Sequence, residues 1–96
     1  MSRKEKQLEE YNEQILDALI ALMEKLGLNV KYDRGNFQGG LVKYEDNDYF
    51  YINRKEKTET KINTIVEELK NLEIPPEYIK GDLKLFFEEI ATNAEN

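Results

Sequence analysis

Residues 28–53 read Leu28-Asn-Val-Lys-Tyr-Asp-Arg-Gly-Asn-Phe-Gln-Gly-Gly-Leu-Val-Lys-Tyr-Glu-Asp-Asn-Asp-Tyr-Phe-Tyr-Ile-Asn53, and here the apolar spacing changes from a helical period to a period of two. Asn29 to Tyr32 alternates in polarity. Leu41 to Tyr44 and Tyr49 to Ile52 are rich in β-branched and aromatic side chains, which suit a pleated, half-buried surface. The polar run Glu45 to Asp48 fits a hairpin connection. Asp33 to Gly40 holds glycines at 35, 39 and 40, and reads either as a wide loop between strands or as a bulged continuation of one. The economical expectation is a three-stranded antiparallel meander.

Helical periodicity flanks this stretch on both sides. Before it, Leu8, Tyr11, Ile15, Ala18, Leu19, Leu22 and Leu26 recur at spacings of three and four, predicting an amphipathic helix over 5–26 with these residues on its buried stripe. Gly27 stands where a left-handed helix cap is wanted. After it, Thr58 or Thr60 can cap a helix running to about Leu72, with Ile62, Ile65, Val66, Leu69 and Leu72 inward. Pro75-Pro76 ends it, because proline lacks a donor and pushes the preceding residue out of helical space. A short turn from Pro76 to Lys80 follows. Gly81 interrupts, Asp82 caps, and Leu83, Phe86, Phe87 and Ile90 face inward from a last helix ending near Ala91. The predicted class is α+β in the order α-β-β-β-α-α: a small antiparallel sheet packed with helices, one domain over 1–96, with residues 92–96 frayed.

Composition removes several chemistries. The chain has 96 residues, 14 Lys plus Arg against 20 Asp plus Glu, and no His, Cys or Trp. Without His or Cys, the usual zinc, copper, haem and iron–sulfur ligand sets cannot be assembled, nor can Ser–His–Asp or Cys–His nucleophiles. A net charge of −6 opposes binding to nucleic acid or an anionic membrane. Only residues 29–58 lack an acidic excess. The N-terminus has no apolar signal-peptide core, and no run approaches a membrane span, so the expected compartment is the cytoplasm. A chain this small hides only roughly 60–65% of its unfolded surface, so its core must be well filled or completed by a partner.

Three groups of residues invite a functional reading. The loop residues Asp33, Arg34, Gly35, Asn36, Gly39 and Gly40, with Asn53, form a candidate ligand site: close glycines let backbone N–H groups approach an anion or small molecule. The loop matches no phosphate-binding motif, and the competing reading is a wide turn with Phe37 tucked into the core. Acidic pairs at Glu9-Glu10, Glu67-Glu68 and Glu88-Glu89 sit on helices where consecutive residues do not share a face. Asp46 and Asp48 echo a calcium loop without its closing glutamate. Tyr32, Tyr44, Tyr49 and Tyr51 all fall in predicted strands, and Tyr49 and Tyr51 point away from Phe50 and Ile52. Apolar groups on both faces of one sheet mean either that a terminal helix covers the second face or that the face binds protein, since tyrosine suits wet, semi-apolar interfaces.

The pattern Val30-x-Tyr-x-x-Gly-x-Phe-x-Gly-Gly40, followed by an aliphatic strand, Asn53 and the helix Lys61-Ile-x-x-Ile-Val-x-x-Leu69, resembles a small bacterial family without established activity over about residues 15–72. That resemblance implies a fold rather than a reaction. A more distant similarity is to the ImmA/IrrE-type metallopeptidase core, where a helix precedes a small sheet, a strand ends in Asn, and the next helix carries HExxH. Glu67 or Glu68 falls where that motif's glutamate would, but both histidines are missing, so the similarity implies a non-peptidase. The expectation is a non-enzymatic protein-interaction module without a cofactor, binding protein or a second copy of itself through Tyr32, Tyr44, Tyr49 and Tyr51. The alternative is a small-molecule or anion site in the 33–40 loop.

Overall fold

The first helix starts and stops for local reasons. In the computed structural model, which describes residues 2–94, Ser2 Oγ accepts the Glu5 backbone N–H at 3.2 Å and opens α1 (Arg3–Lys25). At its end, Gly27 takes a φ of 89°, Leu28 N–H donates to the Met23 carbonyl and Gly27 N–H to the Glu24 carbonyl, each at 3.0 Å. This double closure satisfies carbonyls the helix would leave free, and seats Leu28 beside Met23 in the core.

Three strands follow: β1 (Asn29–Asp33), β2 (Gly40–Tyr44) and β3 (Asn47–Asn53). They do not form the expected antiparallel meander. The spatial order is β1-β3-β2, with β3 parallel to β1 and antiparallel to β2, so the sheet is mixed. Two features account for this. Residues 34–39 are enough chain to cross the roughly 10 Å occupied by an intervening strand. The last strand is also the longest, with Phe50 and Ile52 for the core, so it gains most from the central position. The hairpin is tighter than expected: Tyr44 pairs with Asn47 across Glu45 and Asp46 alone, and Glu45 sits at a φ of 56°.

The remaining elements are α2 (Thr58–Leu69), a 3-10 turn at Pro76–Tyr78 and α3 (Gly81–Ala94). Thr58 and Thr60 lie inside α2 rather than capping it; Lys57 holds the cap position without a side-chain bond. α2 stops at Leu69, short of Leu72, and Asn71 and Leu72 close on the Glu68 and Leu69 carbonyls at 3.1 Å. α3 begins on Gly81 (φ 56°), which places Asp82 in the first turn. It continues past Ala91 to Ala94, so residues 92–94, expected to fray, are helical; residues 95–96 of the expected tail lie outside the described residues.

Alternation puts Val30, Leu41, Phe50 and Ile52 on one sheet face, and this face joins Ile15, Leu19, Leu22 and Met23 of α1 and Ile62, Ile65, Val66 and Leu69 of α2 in one core. Phe50 is 1% exposed. Burying each such side chain contributes about 1.5–3 kcal/mol. α3 lies against α1, with Leu83 buried and Phe86, Phe87 and Ile90 half-buried at the core's margin. The α1 stripe is only partly used. Leu8 is 54% exposed and Tyr11 also lies at the surface, near the Glu89 and Asp82 carboxylates of α3.

Candidate functional site

The four tyrosines do not form one surface. Tyr49 and Tyr51 share the face opposite Phe50 and Ile52, their ring centroids 6.4 Å apart. Val42 pairs with Tyr49, and Val42 and Tyr44 continue that face at 47% and 65% exposure. Tyr32 pairs with Ile52 on the helix side, at the β1 edge, where Arg54 lies 5.7 Å over its ring. Burial, then the carboxylates of Glu24 and Asp17, raise the Tyr32 hydroxyl above the usual tyrosine range, while Arg54 opposes them.

The helices all lie on the other side. α1 packs against β1 and α2 against β2, and the core they close contains neither Tyr49, Tyr51 nor Val42. Among the described residues, no helix lies over the second sheet face, and no strand pairs with the outer edge of β1 or β2. Each is five residues long and carries a lysine near its middle, Lys31 in β1 and Lys43 in β2, as short, charged edge strands commonly do. Those two lysines are the sequence signal that marks β1 and β2 as the outer strands.

The glycine loop is held by Asn53. Its Nδ2 donates to the Gly35 carbonyl at 3.0 Å and to the Phe37 carbonyl at 2.7 Å, while its Oδ1 accepts the Lys55 N–H at 3.0 Å. Asn53 is 5% exposed and each of its amide hydrogens has a partner, so it serves as a clamp on the loop rather than a ligand contact. Gly39 has an equally structural reason. A Cβ there would lie 2.5 Å from the Tyr51 carbonyl oxygen, because the chain presses onto β3 as it turns into β2. Asp33 Oδ1 accepts the Arg34 N–H at 2.8 Å, and Arg34 and Asn36 are exposed. Phe37 is half-buried against Gly35 and outside the core, contrary to the expected inward tuck.

A groove of about 700 Å³ runs along this end of the sheet, lined by Asp33, Phe37, Gln38, Gly39, Gly40, Leu41, Val42, Tyr51 and Glu68. Its charged groups are two carboxylates, Asp33 and Glu68, which disfavour an anion. Val42 was not among the residues singled out from sequence, and Glu68 was singled out only in other connections; the fold alone brings these two to the loop. Glu67, the other residue of the peptidase likeness, pairs with Lys70 at 3.0 Å on the α2 surface.

No family model, curated protein or solved structure matches this chain. Among the described residues, no group of three side chains is placed to hold a metal ion, and no helix is long and apolar enough to cross a membrane.

Proposed function

We propose that this protein is a non-enzymatic interaction module that binds a second copy of itself through the side of the sheet left open by the helices. The observation that carries this reading is the helix-free face of the half-buried Tyr49 and Tyr51, continued by exposed Val42 and Tyr44. A chain of net charge −6 repels its own copies over most of its surface, whereas the three strands are neutral, with Lys31 and Lys43 against Asp33 and Asp48. A like-charged copy is thus met most easily here. A symmetric dimer would cover the same patch on both chains.

Size-exclusion chromatography with light scattering across a hundredfold dilution tests the reading. The expected result is a dimer that dissociates on dilution, and a Tyr49→Ser/Tyr51→Ser variant that stays monomeric with an unchanged helical circular dichroism signal. A wild-type monomer at every concentration, or association unaffected by the double substitution, rejects it.

A further inference from the structure

Resting on that reading for the identity of the partner, we propose that the second copy meets the open side at its margin, along the outer edge of β2, pairing the two β2 strands antiparallel about a two-fold axis at Val42, so that one six-stranded sheet runs through the dimer.

Antiparallel pairing of a five-residue strand with its own copy leaves the central residue facing itself. For Gly40–Tyr44 that residue is Val42, while Gly40 faces Tyr44 and Leu41 faces Lys43 of the second copy. β1 offers no such match: pairing Asn29–Asp33 with its copy sets Lys31 against Lys31, and like charges directly opposite are destabilising.

Both faces of the β2 pairing then find complements already present. On the open face, Tyr44 of the second copy comes to lie over Gly40, which has no side chain, beside Tyr51, the Gly40 partner on β3. The groove occupies this place, passing from Tyr51 and Val42 on the open face to Leu41 and Glu68 on the helix side. An aromatic ring over an edge glycine is a known means of fixing strand register. On the helix side, Lys43 of the second copy arrives beside Leu41, within range of Glu68. The Glu68 Oε1 lies 3.8 Å from the point a Gly40 Cβ would occupy, so its carboxylate stands at this edge. Lys43 would deter an unrelated strand from this edge but finds an opposite charge in this one register, and β2 itself carries no carboxylate.

The test exploits the absence of cysteine from the chain. Val42 is exposed, so Val42→Cys places a single thiol on the proposed axis without disturbing the core. Lys31→Cys places one on the same open face at the opposite, β1 edge. Under mild oxidation, the expected result is a disulfide-linked dimer from Val42→Cys and none from Lys31→Cys. Lys43→Glu and Glu68→Lys should each weaken the dimer by about fivefold to tenfold, and their combination should restore it. Cross-linking through Lys31→Cys but not Val42→Cys, in a protein whose wild type is dimeric, overturns the edge register and leaves self-association standing. A wild type monomeric at all concentrations overturns both.

Discussion

The side-chain amide of Asn53 donates to the carbonyl of Phe37 at 2.7 Å, tying the end of the central strand to the loop that crosses over it. The same amide holds Gly35, and its oxygen receives the Lys55 N–H, so one buried side chain organises the crossover and the exit from the sheet. Removing it leaves two carbonyls and one N–H without these partners. Asn53→Ala should cost about 2 kcal/mol, which for a chain of this size lowers the melting temperature by roughly 8–16 °C. Asn53→Asp keeps the shape but turns the donor edge into an acceptor facing carbonyls, which raises the carboxyl pKa in the fold. A raised folded pKa favours the fold below the ordinary carboxylate range and loses that benefit as pH rises through it. Melts at about pH 4 and about pH 7 should show the aspartate variant gaining stability in acid relative to the alanine variant.

Two glycines should respond differently to the same substitution. Gly39→Ala drives a methyl to 2.5 Å from the Tyr51 carbonyl oxygen, where backbone must yield, and should cost about 2–3 kcal/mol. Gly27→Ala meets nothing within 4 Å, so only its φ of 89° opposes it, at about 1–2 kcal/mol. Urea unfolding of both variants checks the order; equal losses would mean that the close approach at Gly39 relaxes freely.

Glu45 occupies the left-handed region at a φ of 56° in a two-residue turn, a position better served by Asn or Gly. Glu45→Asn should stabilise the protein by about 0.5–1 kcal/mol, read as a raised denaturation midpoint. An unchanged or lowered midpoint would show that the glutamate side chain contributes something at the turn that its backbone geometry does not reveal.

Partial desolvation is the chief cause that raises the Tyr11 and Tyr32 hydroxyls above the usual tyrosine range, although both side chains reach the surface, and Glu89 and Asp82 add to the effect at Tyr11. A raised folded pKa means that these groups favour the fold below the unfolded tyrosine pKa, and that this contribution is lost as pH climbs through the folded value. Stability should therefore fall on the alkaline side above about pH 10. Tyrosinate absorbance should show a late-titrating component that Tyr11→Phe and Tyr32→Phe each reduce. Glu89→Gln should lower the Tyr11 value only in part, because burial is the larger cause.

What the sequence determined by itself is local. Apolar spacing, Gly27 and Pro75-Pro76 mark out the helices because turns, caps and helix stops are settled by residues a few positions apart. The strands were legible for the same reason, as was the split of Tyr49 and Tyr51 from Phe50 and Ile52. Where the α1 stripe leaves the core, at Leu8 and Tyr11, depends on which elements pack against it, which periodicity does not report. Strand order belongs to tertiary structure too. Alternation is the same in parallel and antiparallel pairs, so the pattern from Asn29 to Asn53 suits a meander as well as the mixed β1-β3-β2 sheet. The tertiary structure also moved Tyr32 to the helix side, made Asn53 a clamp and brought Glu68 to the edge of β2. Each of these depends on groups well separated along the chain, whose meeting is decided by which strand wins the centre of the sheet.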